Sequence, residues 1–552
     1  MTLPMESHCL RFAEIPHTAK LFATFLDDFP RVAPYFAHPP TAAGLDAAAR
    51  EIHLDGGLRR RIVEILEEQN RQLAQGGKMD PATVRNLERL ARGAVAIVTG
   101  QQVGLFSGPA YTFYKALSAI RCAEDMTRRG IEAVPIFWLA TEDHDLGEVN
   151  HTYWSTRNGL ARYDWPAESE TSGRRVGEIV LGQAIESIVG TAVQALEGPF
   201  AGDISRALHE SYTPHDTYGS AFGKLMARLL AGRGVIFLDP LDAGFHRLFV
   251  SCFRAAAQQS DSLREALLSR SQELEAAGFA SQVKVTRETT LLFSSAAGRR
   301  EPVRARNGGF IVGDREWSTS QLLDALERQP ELFSPSALLR PVIQDTILPT
   351  VAYIGGPAEI AYLAQAQVVY QALLGRMPAM LPRSSFTLIE QPIGRFVTQY
   401  ELDLADVLAG RQHLRAKMEQ KSLPGALASR FDAGEEELCR LMKTLEDPLA
   451  KLDVTLVESL HSAQAKMLHQ FTQLKGKVAR AENFRSGILD RHERVLIDSL
   501  APQGELQERT LCLLPFFAAH GPALLDELTS RSSVVDTDSG KSNACQHQIL
   551  FL

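Results

Sequence analysis

Apolar residues recur three or four positions apart from Arg59 to Leu73 and from Pro81 to Leu90, the spacing of helices with one buried face. Asp80 before Pro81 supplies a cap and a first-turn proline, so a helix starts there. At Ala94 the pattern changes. Ala94-Val95-Ala96-Ile97-Val98 is apolar without polar alternation and stops at Thr99-Gly100, and a helical pattern restarts near Pro109. Val134 to Ala140 is a second apolar run. A third, Val235 to Leu238, ends at Asp239-Pro240 and leads into helical spacing to about Ala277. Continuous apolar strands separated by helices predict a parallel sheet covered on both faces.

The expected fold class is therefore α/β: a Rossmann-like, doubly wound core with insertions, followed by a C-terminal helical coiled-coil arm. Residues 1–92 read as a helical segment packed on the core, which itself spans 93–390. One insertion, at about 152–215, reads as polar and irregular. The other, at about 287–335, has β-like runs at Thr290 to Phe293 and Gly309 to Val312. Its turns at Gly298 and Asn307-Gly308 predict a small hairpin subdomain. Residues 391–505 read as the arm, interrupted near Leu423 to Gly425. Leu460, Met467, Leu474, Ala481 and Ile488 recur every seven residues as a seam, with Phe471 and Val478 beside them. Residues 506–531 are expected to return to the core as a helix, and 532–552 to form a loose tail.

Composition narrows the class. The chain has 552 residues, 45% hydrophobic and 22% charged, which suits a protein of more than one folding unit. A net charge of -8 argues against a dedicated nucleic-acid binder. No run approaches the ~18 apolar residues that span a bilayer. Met1 to Arg11 carries Glu6, His8 and Arg11 in place of a signal-peptide core. Six dispersed cysteines without a CxxC pair read as reduced thiols in a cytoplasm.

Three stretches carry candidate chemistry. Thr99 to Tyr111 is a strand-to-helix loop with glycines at 100, 104 and 108, matching neither a Walker A loop nor G-x-G-x-x-G. It lets a ligand approach the backbone at a helix start, or it is simply a tight turn. Gln101, Gln102, Gly108, Tyr111 and Lys115 are its candidate binding residues. Val134 to Ala140 then releases Glu142, Asp143, His144 and Asp145, with Glu148, Asn150 and His151 close behind. The carboxyl end of a parallel strand is where such groups meet ligands. Carboxylates beside a histidine serve acid/base work or hold Mg²⁺, or they cap the next helix. Asp143, His144 and Asp145 are the catalytic candidates; Glu142, Asn150 and His151 are binding candidates. The third stretch, Gly355-Gly356-Pro357-Ala358-Glu359, opens a helix as Gly108-Pro109-Ala110 does, and contributes Gly356, Glu359 and Tyr362. Glu359 suits an ammonium group, and Arg383 either grips a carboxylate or makes an edge salt bridge. No residue set is assigned to a metal.

These stretches, with Arg340-Pro341, Gln344-Asp345, Met377-Pro378, Pro382-Arg383 and Gln507-Glu508-Arg509, resemble the bacillithiol-biosynthesis cysteine-adding enzymes over residues 94 to 530. The resemblance implies a ligase forming a C–N bond between L-cysteine and glucosaminyl-malate in the last step of bacillithiol synthesis. It implies a Rossmann-like core and a coiled coil that joins two copies in a homodimer. Activating the cysteine carboxyl requires ATP or another source, with Mg²⁺ accompanying it. On this reading Asp143, His144 or Asp145 takes the amine's proton, and Glu142 orients His144 or helps hold Mg²⁺. Arg383 and the two Gly-Pro helix starts hold the malate carboxylates. Two other readings stay open: a nucleotidyl transferase that adenylates a small acid, and a non-catalytic coiled-coil protein that binds a nucleotide or sugar.

Overall fold

The computed structural model describes residues 7–167, 171–306, 308–421, 425–532 and 546–552. They fall into two compact units. The first comprises His8–Phe386 and Glu508–Ile549; the second is built mainly of Thr387–Gln507.

The centre of the first unit is a five-stranded sheet in the order Ala379–Pro382, Thr350–Gly355, Val95–Gln101, Ala133–Leu139, Ile236–Leu238. All four pairings are parallel. Val95 pairs with Ala133 and Gln101 with Leu139, so these two strands end together. The chain runs outward in one direction through the first three strands, then returns to the other side of Val95–Gln101. The order therefore reverses between Val95–Gln101 and Thr350–Gly355, the place where ligands enter open α/β sheets.

The three apolar runs form strands because both sheet faces are covered. Ala119, Cys122, Ala123 and Met126 of helix Tyr111–Arg128 share one core with Ile97, Val351, Ile354 and Leu381. Leu45 and Ala48 of helix Ala42–Arg50 join it. Full burial of each valine, leucine, isoleucine or methionine among them contributes about 1.5–3 kcal/mol. The edge strand Ile236–Leu238 is closed by side chains of helix Gly56–Leu73. Asn70 exchanges hydrogen bonds with the Phe237 backbone at 2.8 and 2.9 Å, and Gln69 with that of Asp239 at 2.8 and 3.0 Å. An unpaired sheet edge is thereby removed.

Both insertions are more regular than expected. Residues 152–215 hold an antiparallel hairpin, His151–Thr156 with Gly159–Asp164, then helices Ala184–Gln194 and Ala201–Ser211. Residues 287–335 form a five-stranded antiparallel sheet with helix Thr319–Arg328, more than a hairpin subdomain. Asn307 lies outside the described residues. The returning segment is three helices, Gln507–Thr510, Leu514–His520 and Pro522–Arg531; Gly521 (φ 64°) and Pro522 separate the last two. The expectation of a wholly loose tail is corrected: His547–Phe551 is a strand. The expectation of six reduced thiols is corrected too. Cys9 is disulfide-bonded, while Cys122, Cys252, Cys439 and Cys512 are free.

The second unit is helical. Gln391–Gln399, Leu404–Leu408, Arg411–Gln420 and Ile488–Leu500 accompany two long helices, Gly425–Leu452 and Thr455–Ser486. Phe431 and Phe471 meet with ring centroids 5.3 Å apart, and Leu427 and Val478 pack beside them. Lys475 pairs with Asp432 at 2.6 Å and His461 with Glu446 at 3.6 Å, so the two helices run antiparallel. The expected heptad seam is not the contact that joins them. Leu460 is buried, but Met467, Leu474 and Ile488 are 46%, 50% and 51% exposed. The side chain of Ala481 and residues 422–424 lie outside the described set. Gly487 (φ 60°) ends the long helix before Ile488, which breaks the repeat.

Candidate active site

The loop after Val95–Gln101 needs glycine for room. A Cβ on Gly100 would lie 2.9 Å from the Trp138 carbonyl oxygen, and one on Gly104 would lie 3.0 Å from Gly108 Cα. Phe106, Ser107 and Gly108 all adopt positive φ, which folds the loop back on itself. The returning segment supports it from beneath: the Ala110 N–H donates to Leu511 O at 2.8 Å, and Cys512 Sγ lies 3.2 Å from Phe106 O. Burial pushes the Cys512 thiol up to about 11, so it serves as packing.

This loop and the acidic stretch meet. Gln102 Nε2 donates to Asp143 Oδ2 at 2.6 Å and to Glu148 Oε2 at 2.8 Å. The third stretch joins through Lys115, which is buried and donates to Gly100 O at 2.9 Å and to Gln101 Oε1 at 2.8 Å. Its ammonium also forms an ion pair with Glu359. The Glu359 carboxylate accepts from the Gly356 N–H at 2.9 Å and from Tyr353 Oη at 2.6 Å. Burial opposes its charge, yet Lys115 and these donors hold it below the usual carboxylate range.

Around the switch point lies a cavity of about 560 Å³. Gln101, Gln102, Tyr111, Lys115, Glu142, Asp143, Gly356, Glu359, Tyr362 and Arg383 line it, as do Glu148, Arg300, Arg340 and Arg509. Five cationic side chains thus share it with four carboxylates. Arg340 donates to Tyr362 Oη at 3.0 Å and Tyr353 Oη at 3.3 Å. Arg300 stacks 3.9 Å over Phe293, donates to Pro335 O at 2.8 Å, and meets His144 Nδ1 at 2.9 Å.

Several candidates stand elsewhere. Gly108 shapes the loop without lining the cavity. His144 is outside the lining and supports Arg300; Asp145 is exposed at the start of helix Leu146–Val149. Asn150 donates to Trp165 O at 3.1 Å and anchors the hairpin that His151 begins, away from the cavity. Glu142 does not orient His144: it faces His246, with Oε1 3.7 Å from Nε2. Arg383 lines the cavity and is also paired with Glu508, which accepts from its Nη2 at 2.7 Å. At the helix start the Gly356 N–H is taken by Glu359.

Burial works against the Asp143 charge, but His144, Gln102 and Arg300 outweigh it and hold the carboxyl far below the ordinary range. It is an anion at any working pH and a weak base. Sequence reasoning missed Arg300 and His246. Arg299-Arg300 beside Gly298 was a faint signal of a charged turn; His246, inside an apolar helix, gave none.

The family model for the bacillithiol biosynthesis BshC N-terminal Rossmann-like domain matches residues 5–384, and that for the BshC C-terminal coiled-coil domain matches residues 386–539. The chain belongs to the bacillithiol biosynthesis BshC family. A BshC relative from Koribacter versatilis (strain Ellin345) is 39% identical over 525 residues, covering 95% of this chain and 97% of its own. One from Solibacter usitatus (strain Ellin6076) is 35% identical over 530 residues, with 94% and 96% covered. A third, from Chlorobaculum tepidum, is 32% identical over 493 residues, with 85% and 86% covered. All three bear the name "Putative cysteine ligase BshC". Membership agrees with the Rossmann-like fold followed by a coiled coil. Among the described residues no helix is long and apolar enough to cross a membrane.

Proposed function

We propose that this protein is a cysteine ligase that joins the carboxyl group of L-cysteine to the amine of glucosaminyl-malate, forming the amide of bacillithiol. The observation that carries this reading is the mixed-charge cavity at the sheet's switch point. A sugar dicarboxylate with an amine needs cations at one end and carboxylates at the other. Arg300, Arg340 and Arg509 suit the malate carboxylates, and Asp143 and Glu148 suit an ammonium group. Gln101 and Tyr362 offer hydrogen bonds to sugar hydroxyls. The relatives' shared name supports the same reaction.

Amide formation needs an activated carboxyl group, and ATP with Mg²⁺ is the proposed source. Mg²⁺ takes one or two protein carboxylates plus phosphate oxygens. Asp143 and Glu148, which share the Gln102 amide, have the donor chemistry to hold it. The protein acts in the cytoplasm, and the exposed apolar residues of the long helices pair two copies into a homodimer.

The test is purified protein incubated with cysteine, glucosaminyl-malate and ATP-Mg²⁺. Bacillithiol is expected together with AMP or ADP, whichever forms telling adenylate from acyl-phosphate activation. Pyrophosphate release without a cysteine-containing product would rule the proposal out.

A further inference from the structure

A second cavity, of about 260 Å³, lies where the sheet of residues 287–335 meets helix Ser260–Ala276, and it shares no lining residue with the catalytic one. Arg264, Arg287 and Arg306 line it, together with Ser260, Asp261 and Thr319. The Ala305 N–H donates to Glu288 O at 2.9 Å beside the Thr289–Arg304 pairing, which brings Arg287 alongside Arg306. Among the described residues neither guanidinium has an ionic or hydrogen-bond partner. Like charges placed side by side on adjacent strands repel. Arg264 comes from the helix and pairs with Asp261 through Nη2, while its Nη1 is buried without a partner. Three guanidiniums against one carboxylate leave two positive charges in excess.

A buried hydroxyl is aimed into the same space. Ser260 is 8% exposed, lines the cavity, and its Oγ makes no hydrogen bond. Leaving a buried donor unsatisfied is costly, so such a group marks a place where a partner belongs. Ser260 also opens a 17-residue helix whose start no side chain caps, and Thr319 opens a second helix, Thr319–Arg328. Helix starts add partial positive charge and free N–H donors.

We propose that this cavity binds a phosphate dianion, either free or as the terminal group of a small monoester. The donor set selects phosphate over a carboxylate. A single guanidinium fork satisfies both oxygens of a carboxylate in one plane. Guanidiniums from three separate segments, joined by a hydroxyl, suit a tetrahedral group with acceptor oxygens on several sides. The excess charge balances a phosphate monoester, which carries about −1.5 to −2 at pH 7. Ser260 Oγ and Arg264 Nη1 make the buried contacts, and the exposed Arg287 and Arg306 neutralise the anion from the solvent side. Asp261 stands against the anion, but its side chain is 80% exposed and water screens it.

Hydrogen exchange read by mass spectrometry separates this cavity from the catalytic one, whose cations also attract phosphate. With inorganic phosphate added to the full-length protein, peptides covering Ser260–Arg264 and Gly309–Val312 should exchange more slowly. An equal ionic strength of potassium chloride should leave them unchanged. The double variant Arg287→Gln with Arg306→Gln should need at least about tenfold more phosphate for the same protection. Both side chains are exposed, so the fold should persist, and unchanged far-ultraviolet circular dichroism checks it. Ser260→Ala should weaken protection severalfold, whereas Arg287→Lys with Arg306→Lys should keep most of it because the charge remains. AMP acting at lower concentration than inorganic phosphate identifies a monoester as the ligand; the reverse order identifies the free ion. Protection equalled by chloride, protection by malate in place of phosphate, or protection that survives undiminished in the arginine-to-glutamine variant would overturn the assignment.

Discussion

The side-chain amide of Gln102 donates to the carboxylate of Asp143 at 2.6 Å, across the ends of two neighbouring parallel strands. This bond brings the glycine loop and the acidic stretch to one rim, and it fixes Asp143 as an anion facing the cavity. If that charge holds an ammonium or Mg²⁺, Asp143→Asn keeps the shape and removes the function. Turnover should fall by about 100-fold or more while the melting temperature changes little. Normal kcat and KM in this variant would leave Asp143 as a structural link only.

Lys115 and Glu359 tie the two halves of the switch point together. Breaking a buried ion pair on one side leaves the other charge uncompensated, at a cost of about 3–5 kcal/mol. Lys115→Met should therefore lower the urea midpoint strongly. The double variant Lys115→Met with Glu359→Gln should recover part of the loss, because no bare carboxylate remains. A double variant less stable than Lys115→Met would contradict the pairing argument.

What could be read from the sequence follows from how local each signal is. Val95–Gln101 and Ala133–Leu139 were legible because a strand buried on both faces needs an unbroken apolar run. Gly100 and Gly104 were legible as a crowded loop for similarly local reasons. The partner of Arg383 was not, since Glu508 lies 125 residues further on and only folding joins them. Glu142 is legible as a polar residue just beyond a strand, but its neighbour is not: His144 is near in sequence, whereas His246 arrives on a helix following the third strand. The heptad of Leu460, Met467 and Leu474 misled because a seven-residue period marks a helix stripe without saying what covers it. Phe471 and Val478, noted beside that stripe, are the residues that pack against the partner helix.

The Arg383–Glu508 pair predicts a pH dependence of stability. Burial opposes the Glu508 charge, and Arg383 outweighs it, so the folded carboxyl sits below its unfolded value. Its contribution is complete above the unfolded carboxylate range, about pH 4.3. It is lost as pH falls through the folded value. Glu508→Gln should be less stable than wild type at pH 7, because Arg383 is left buried without a counter-charge. The gap in melting temperature should narrow steadily as the pH is lowered below about 4.3. A gap that stays constant from pH 7 to about pH 3 would mean that the charge of Glu508 contributes nothing.

The long helices present the last prediction. Leu441, Leu445, Met467 and Leu474 are between 42% and 56% exposed, although their helices already bury Phe431 against Phe471. Large apolar side chains spread along such a hairpin lose contact with water if a second copy covers them, at about 25 cal/mol per Å². If they form the homodimer contact, the double variant Met467→Glu with Leu474→Glu places four like charges in one interface. Light scattering should then show a mass half that of the wild type. The far-ultraviolet circular dichroism should stay the same, since glutamate is a good helix former and the Phe431–Phe471 packing is untouched. A wild-type protein of one-chain mass, or a variant that keeps the wild-type dimer, would remove these residues from any role in assembly.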